Sequence, residues 1–279
     1  MDTTKRDLAG NPRVIEVVSD VLAHLRKLIR THRITHEEYR QAVGFFMETA
    51  TQGEIPLLMD VFSESMVIDA AQRGKKGTEN TVEGPFYVPE APMLTAPYVL
   101  PQRPDEPGEA LFFSGSVRST EGAPVVGALL DLWQADAMGR YSSFHYPEPA
   151  FNLRGRLTTD SNGRFEVRTR VPAPYEIPKG GPTGALLSAL GRPAFRPAHL
   201  HLKVSHAACE PLTTQIYFAG DRWLDSDAAN AVKGSLITKL EKHTKPRDVR
   251  QRGLDRPYCT LAYDFVLQPR VSVSSENGI

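Results

Sequence analysis

At 279 residues, 41% hydrophobic and 24% charged, the chain can bury a sizeable core as one large domain or two smaller ones. Its 33 Lys and Arg cancel its 33 Asp and Glu, so net charge gives no reason to expect a nucleic acid or an anionic membrane surface as partner; a small substrate is expected instead. No apolar run nears the ~20 residues needed to span a bilayer, the polar N-terminus has no apolar signal segment after it, and only Cys209 and Cys259 occur, which reads as a cytoplasmic protein with free thiols.

In chain order, Val14, Val17, Val18, Val21, Leu22, Leu25, Leu28 and Ile29 recur at spacings of three and four, a helical stripe of about four turns. Thr35-His36-Glu37-Glu38 has the form of a capping box and opens a second helix carrying Tyr39, Val43, Phe46 and Met47. A third is expected from about Pro56, with Leu57, Leu58, Val61, Phe62, Met66 and Val67 as its apolar face. So few helices enclose little core, and their stripes need another surface, in the same chain or in a second subunit.

Gly74-Lys75-Lys76-Gly77 ends the helical pattern, and seven prolines from Pro85 to Pro107 mark an extended connector. Phe86, Tyr87, Val88, Met93, Leu94 and Tyr98 make it too apolar for a disordered linker, so it is expected to lie against a folded surface. Beyond Gly108 the periodicity becomes two, with strands expected at 111–117, 125–133, 153–159, 164–171, 198–205, 212–218 and 260–267, an antiparallel β-sandwich. Thr159-Asp160-Ser161-Asn162-Gly163 reads as a turn joining two antiparallel strands, and the Pro- and Gly-rich stretch from Val171 to Arg196 as a long functional loop. A last helix is expected over Asp227 to Lys242 and a frayed tail after Val271.

The sharpest chemical signal is Arg196-Pro197-Ala198-His199-Leu200-His201. On a strand, residues i and i+2 share a face at ~6–7 Å between Cα atoms, so the two imidazoles can meet one metal while Leu200 and Leu202 face the core. An isolated His-x-His is more often a pair of surface side chains. Further donors are needed to name a metal, and acidic residues near the pair are few; Tyr141 and Tyr175 sit at expected loop edges, where a tyrosine is usually a packing residue.

The run from Leu153-Arg154-Gly155-Arg156 through Thr159-Asp160, Gly163, Pro172, Tyr175, Ile177-Pro178, Gly181-Pro182-Thr183, Gly191-Arg192, the histidine motif and Leu212-Thr213-Thr214-Gln215-Ile216 resembles the intradiol ring-cleaving dioxygenases. Gly84-Pro85-Phe86-Tyr87 and Trp133 to Tyr141 extend the likeness over nearly the whole chain; Pro193 departs from it, standing where many members have His. The resemblance implies a mainly β protein with an α-helical N-terminal region. Residues 1–75 would form a helical dimerisation domain, 76–108 a connector lining the pocket, 109–270 the catalytic antiparallel sandwich, and 271–279 a flexible tail.

It further implies one mononuclear, non-haem Fe(III) per subunit, held by Tyr141, Tyr175, His199 and His201. The donor chemistry agrees, because ferric iron is a hard Lewis acid that favours phenolate oxygen, whereas zinc is more usual with Cys, His and carboxylate. By the same resemblance Tyr175 leaves the metal to take a substrate proton, Arg196 stabilises negative charge on the ring, Gln215 supports it, and O2 ends in a ring-opened diacid. Leu57, Asp60, Val82, Gly84, Pro85, Phe86 and Ala228 would line the substrate pocket. The Leu57-x-x-Asp60 pattern and Gly84-Pro85-Phe86 resemble members acting on hydroxyquinol, giving maleylacetate, while Glu83 is closer to members that convert catechol to cis,cis-muconate. A homodimer is implied, with lipid at the helical interface in some relatives. The competing readings are a non-catalytic β-sandwich binding protein and a zinc hydrolase.

Overall fold

The computed structural model describes residues 10–147 and 149–270, so the expected tail at 271–279 lies outside the described residues. Contacts divide the chain into two units, one ending at Gly53 and the other starting at Glu54. The division therefore falls before the third helix rather than near residue 75.

In the first unit, α1 (Pro12–His32) starts with Asn11 accepting from the Arg13 and Val14 amides and with Pro12 in the first turn, where its missing N–H costs nothing. The capping box opens α2 (His36–Thr51) as expected: Glu38 N donates to Thr35 Oγ1 at 3.2 Å and Thr35 N to Glu38 Oε2 at 2.7 Å. The α1 stripe stays open to solvent, with Val21 59% and Leu28 50% exposed.

The second unit begins with α3 (Ile55–Met59) and α4 (Ser65–Gln72), separated by a π-helical turn at Asp60–Glu64, so the third expected helix is present but locally widened. Such turns are frequent at functional sites. The strands follow: β1 (Tyr98–Val99), β2 (Ala110–Ser119), β3 (Leu129–Gln134), β4 (Arg154–Thr158), β5 (Arg164–Arg170), β6 (Tyr175–Glu176), β7 (Phe195–Arg196), β8 (His199–Ser205), β9 (Leu212–Phe218), β10 (Ile237–Thr238), β11 (Glu241–His243), β12 (Tyr258–Ala262) and β13 (Phe265–Leu267). One sheet runs β1-β5-β2-β12-β11, with β13 continuing along β2, and the other runs β10-β9-β8-β3-β4. Leu111, Phe113, Phe165 and Val167 of the first meet Leu130, Leu132, Leu200, Leu202 and Val204 of the second in one buried cluster. Each such side chain contributes ~1.5–3 kcal/mol of burial. Because Leu200, Leu202 and Val204 face this core, alternation turns His199 and His201 to the outer face of the second sheet.

The sandwich is mostly antiparallel, but β12 and β13 both pair with β2 in parallel, as do β1 with β5 and β10 with β9. The turn Thr159–Gly163 is present and does not make a hairpin: β4 pairs with β3 and β5 with β2, so it is a corner between sheets. The stretch after Val171 is more structured than a loop, holding β6, α5 (Pro182–Ala189) and β7. No helix covers Asp227 to Lys242. There the Asp227 carboxylate accepts from the Ala229 and Ala231 amides, Asn230 is left-handed at φ +48°, and the chain passes into a 3-10 turn, β10 and β11. The last helix is instead α6 (Pro246–Gln251).

The single strand expected at 260–267 is split because the chain crosses over β2 at Tyr263 and Asp264. Tyr263 N donates to Ser114 O, Asp264 Oδ1 accepts from Ser116 N and Oγ, and a Cβ at Gly115 would stand 1.8 Å from Tyr263 O. Only glycine permits this approach. Gly115→Ala is expected to cost at least ~3 kcal/mol, the upper range for overpacking, because the clash is with backbone. Urea unfolding of the variant checks this, and a midpoint equal to wild type would contradict it.

Candidate active site

The site is built on the outer face of β8. In register, His201 lies opposite Trp133 on β3 and Gln215 on β9, and His199 lies opposite Tyr217. Trp133 stacks on the His201 ring at 4.7 Å with planes 11° apart. His199 Nδ1 donates to Pro197 O at 2.7 Å, which leaves a lone pair on Nε2. That atom faces His201 Nε2 at 2.9 Å, and the Tyr141 hydroxyl reaches the same His201 atom at 2.9 Å. Both histidines are buried. Burial and the neighbouring Arg196 charge push His199 down to about 3, and burial, then His199 and Arg196, hold His201 well below its usual value. Both rings are therefore neutral, ligand-competent imidazoles at physiological pH.

Two imidazole nitrogens at 2.9 Å across a buried gap avoid lone-pair repulsion only with a ring proton between them, as when Gln215 Nε2 donates to His201 Nδ1 at 3.2 Å, or with a cation in that proton's place. Tyr141 and Tyr175 lie beside the pair and carry oxygen donors. Their rings meet edge to face at 5.3 Å, and Tyr175 lies 5.7 Å from the His199 ring. Burial, followed by the charge and hydrogen bonding of Tyr175, raises Tyr141 well above the ordinary phenol range, so without a cation nearby it stays protonated. Among the described residues no group of three or more His, Cys, Asp or Glu side chains could hold a metal, and the further oxygen donors beside the histidine pair are the two phenols. Two neutral imidazoles and two phenols fit a hard, highly charged cation.

Separate elements hold each donor. The Tyr141 loop is tied by Asp136, whose Oδ1 accepts from the Met138 and Arg140 amides and whose Oδ2 pairs with Arg103 at 3.0 Å. Buried Arg154 then joins that loop to the connector, donating to Ser142 Oγ, to Ser142 O and to Phe86 O. Tyr175 on β6 pairs with Arg196 on β7, which fixes this phenol beside the buried guanidinium.

Arg196 is 3% exposed and fully engaged: Nε and Nη2 donate to the two oxygens of Asp227 at 3.0 and 3.2 Å, and Nη2 also donates to Gln215 Oε1 at 2.7 Å. Burial works against its charge, but Asp227 outweighs this and holds Arg196 well above the usual value; Asp227 correspondingly lies below the ordinary carboxylate range. Gln215 donates to Val82 O at 2.7 Å and accepts from the Tyr217 hydroxyl, so its amide is locked. Nη1 of Arg196 remains directed at the site, 3.4 Å from His199 Nε2.

Of the expected pocket residues, Leu57, Phe86 and Ala228 pack in one cluster with Tyr141 and Tyr175, and Phe86 stacks on Tyr141 at 4.5 Å. A Cβ at Gly84 would touch His201 Cε1 at 3.4 Å, so this glycine lets the connector lie on the ligand. Val82 is buried in a neighbouring cluster with Ala229 and Ala231. Pro85 is exposed. Asp60 is half-buried on the π turn, its pKa raised by burial; it packs in neither cluster, and Glu64, four residues on, is the carboxylate that feels both Asp60 and Arg196. Sequence reading missed Asp227, Tyr217, Trp133, Arg154 and Glu64. Once the register is known, Tyr217 follows from Gln215 by alternation and Trp133 by its position opposite His201. No local sequence pattern marks Asp227.

Two family models match the chain, one described as Catechol dioxygenase N terminus over residues 11–79 and one described as Dioxygenase over residues 82–269. A chlorocatechol 1,2-dioxygenase of Rhodococcus opacus is 42% identical over 237 residues, covering 84% of this chain and 92% of that one. The crystal structure of 3-chlorocatechol 1,2-dioxygenase from the same species has a TM-score of 0.84 at 41% identity, covering 92% of this chain and 99% of that one. That of hydroxyquinol 1,2-dioxygenase from Pseudomonas putida also has a TM-score of 0.84, at 34% identity and covering 94% of each chain. With family matches on both sides of residue 80 and a shared fold, the chain belongs to the intradiol ring-cleaving dioxygenases.

Proposed function

We propose that Tyr141, Tyr175, His199 and His201 hold one Fe(III) and that the enzyme opens the ring of a catechol-type substrate between its two hydroxyl-bearing carbons. The observation that carries the reading is the pair of neutral imidazole nitrogens facing each other at 2.9 Å with a buried phenol on one of them. When bound, ferric iron supplies Lewis acidity toward two adjacent hydroxyl oxygens and an electronic link between the ring and O2. The protein does the rest. Tyr175, as phenolate, accepts a substrate proton at its oxygen. Arg196 directs Nη1 toward negative charge developing on the ring, in a site dry enough for that donor to count for more than in water. Phe86 and Leu57 exclude water from the side of the connector and of α3.

The substrate reading is hydroxyquinol: the half-buried Asp60 carboxylate would accept a hydrogen bond from a third ring hydroxyl. Catechol is the plainer alternative. A chlorocatechol is a second reading, supported by the 42% identity to the Rhodococcus opacus enzyme and by the apolar packing of Leu57, Phe86 and Ala228, which suits a halogen better than a hydroxyl. The exposed α1 stripe supports assembly as a homodimer through the helical region.

His201→Ala is expected to lose bound iron, the visible charge-transfer band of a ferric phenolate, and turnover together. Full iron content with normal turnover in this variant would sink the assignment.

Asp60→Ala is expected to lower kcat/KM for hydroxyquinol ~10- to 100-fold more than for catechol, the worth of one hydrogen bond to a charged group, with the visible band retained. An equal effect on both substrates removes Asp60 from the pocket and leaves the catechol and chlorocatechol readings.

Light scattering at micromolar concentration should give a mass twice that of one chain, and Leu25→Glu in the exposed stripe should halve it. A monomeric wild type would reject the dimer.

A further inference from the structure

On the outer face of the other sheet lies a cleft of about 820 Å3, walled by β5, by the connector from Gln102 to Glu109 and by the loop from Leu254 to Pro257. None of the residues assigned above to iron or substrate lines it. Arg168 and Arg170, two apart on β5, share its floor, and Arg256 comes from the facing loop. The arginines crowd one another: burial pushes Arg170 below its usual value, and Arg168 and Arg256 both add to that push.

The cleft also contains four carboxylates, and the charge of two of them is spent elsewhere. Glu106 is buried and taken by Arg103 and Asn152, while Glu109 accepts from Lys242 and from Cys259. Asp105 and Asp255 are exposed. Among the described residues, Arg168 and Arg256 have no hydrogen-bonded or ion-pair partner for their guanidinium groups. Gln102 Oε1 accepts from Arg170 Nε at 3.0 Å, which orients that guanidinium in the floor of the cleft.

We propose that this cleft binds a small linear dicarboxylate, seated between Arg168, Arg170 and Arg256. The guanidinium groups come from two chain segments, β5 and the facing loop, across a space far larger than one phosphate or sulfate, so two separated anionic groups fit better than one. Guanidinium is the preferred bidentate partner of carboxylate. Pro104, Pro107, Leu254 and Pro257 give apolar wall for a hydrocarbon spacer. The biological source is the ring-opened diacid that the enzyme itself releases. That source rests on the ring-cleavage reading; the site does not.

Calorimetric titration of the iron-loaded enzyme with adipate, a six-carbon diacid with no ring to cleave, is expected to show one site per chain. Arg168→Gln and Arg256→Gln should each weaken binding about tenfold, the scale of one charge-assisted hydrogen bond, and hexanoate should bind wild type about tenfold more weakly than adipate. Arg256 is exposed, so its substitution keeps the fold and the test readable. His201→Ala should bind adipate as wild type does, whatever its iron content, which separates this site from the histidine pair. The proposal is overturned by absence of binding at millimolar adipate, by binding that neither arginine variant weakens, by loss of binding in His201→Ala, or by phosphate or hexanoate binding as tightly as adipate.

Discussion

Two neutral imidazoles held nitrogen to nitrogen in a dry pocket are the constraint from which the rest of the site follows. Both facing nitrogens have lost water, and neither ring becomes a cation at ordinary pH, because burial and the Arg196 charge oppose it. Such an arrangement persists only if the surrounding structure over-determines it. Here it does, through the Pro197 carbonyl on one ring, the Trp133 face on the other and a strand whose alternate residues are anchored in the sandwich core. A cation held between these groups would recover the cost, and metal affinity and folding would then be coupled in this part of the molecule.

The donors come from segments far apart in the chain, and polar ties rather than apolar packing fix their positions. Arg154 holds the Phe86 stretch to the Tyr141 loop, Gln215 holds Val82 to the face of β9, and Asp227 holds Arg196. Each tie is buried and fully satisfied, a condition under which a polar network rigidifies a site instead of weakening it. A satisfied network also resists drift, which matters where small misplacement of a donor costs rate.

The sequence made the strand periodicity, the capping box, the connector's adhesion to the fold and the histidine pair legible, because each is a local rule in which neighbours along the chain decide the outcome. What stayed hidden depends on partners distant in sequence. Asp227-Ala228-Ala229-Asn230-Ala231 has the composition of a helix start, yet the buried guanidinium of Arg196 claims the carboxylate and the amides fold around it into a turn. The turn at Thr159–Gly163 shows the same limit: its residues specify a reversal, while only the sheet partners decide between a hairpin and a corner. The split at Tyr263 depends on one glycine on another strand, which no pattern within 260–267 reports. The four proposed ligands emerged from resemblance to a family, and geometry then brought them together.

The pairing of Arg196 with Asp227 limits how this cation can act. A bare guanidinium at that depth would be prohibitively desolvated, and removing one partner from a buried pair costs ~3–5 kcal/mol, so Asp227 is required for the charge to exist there at all. With Asp227 present the pair is nearly neutral from a distance, and little long-range field reaches the substrate. What remains is directional. Nε and Nη2 are committed to Asp227 and Gln215, leaving Nη1 as the donor facing the ligand histidine. Arg196 therefore serves by the placement of one donor group, which a planar fork clamped at two points can hold and a flexible lysine cannot.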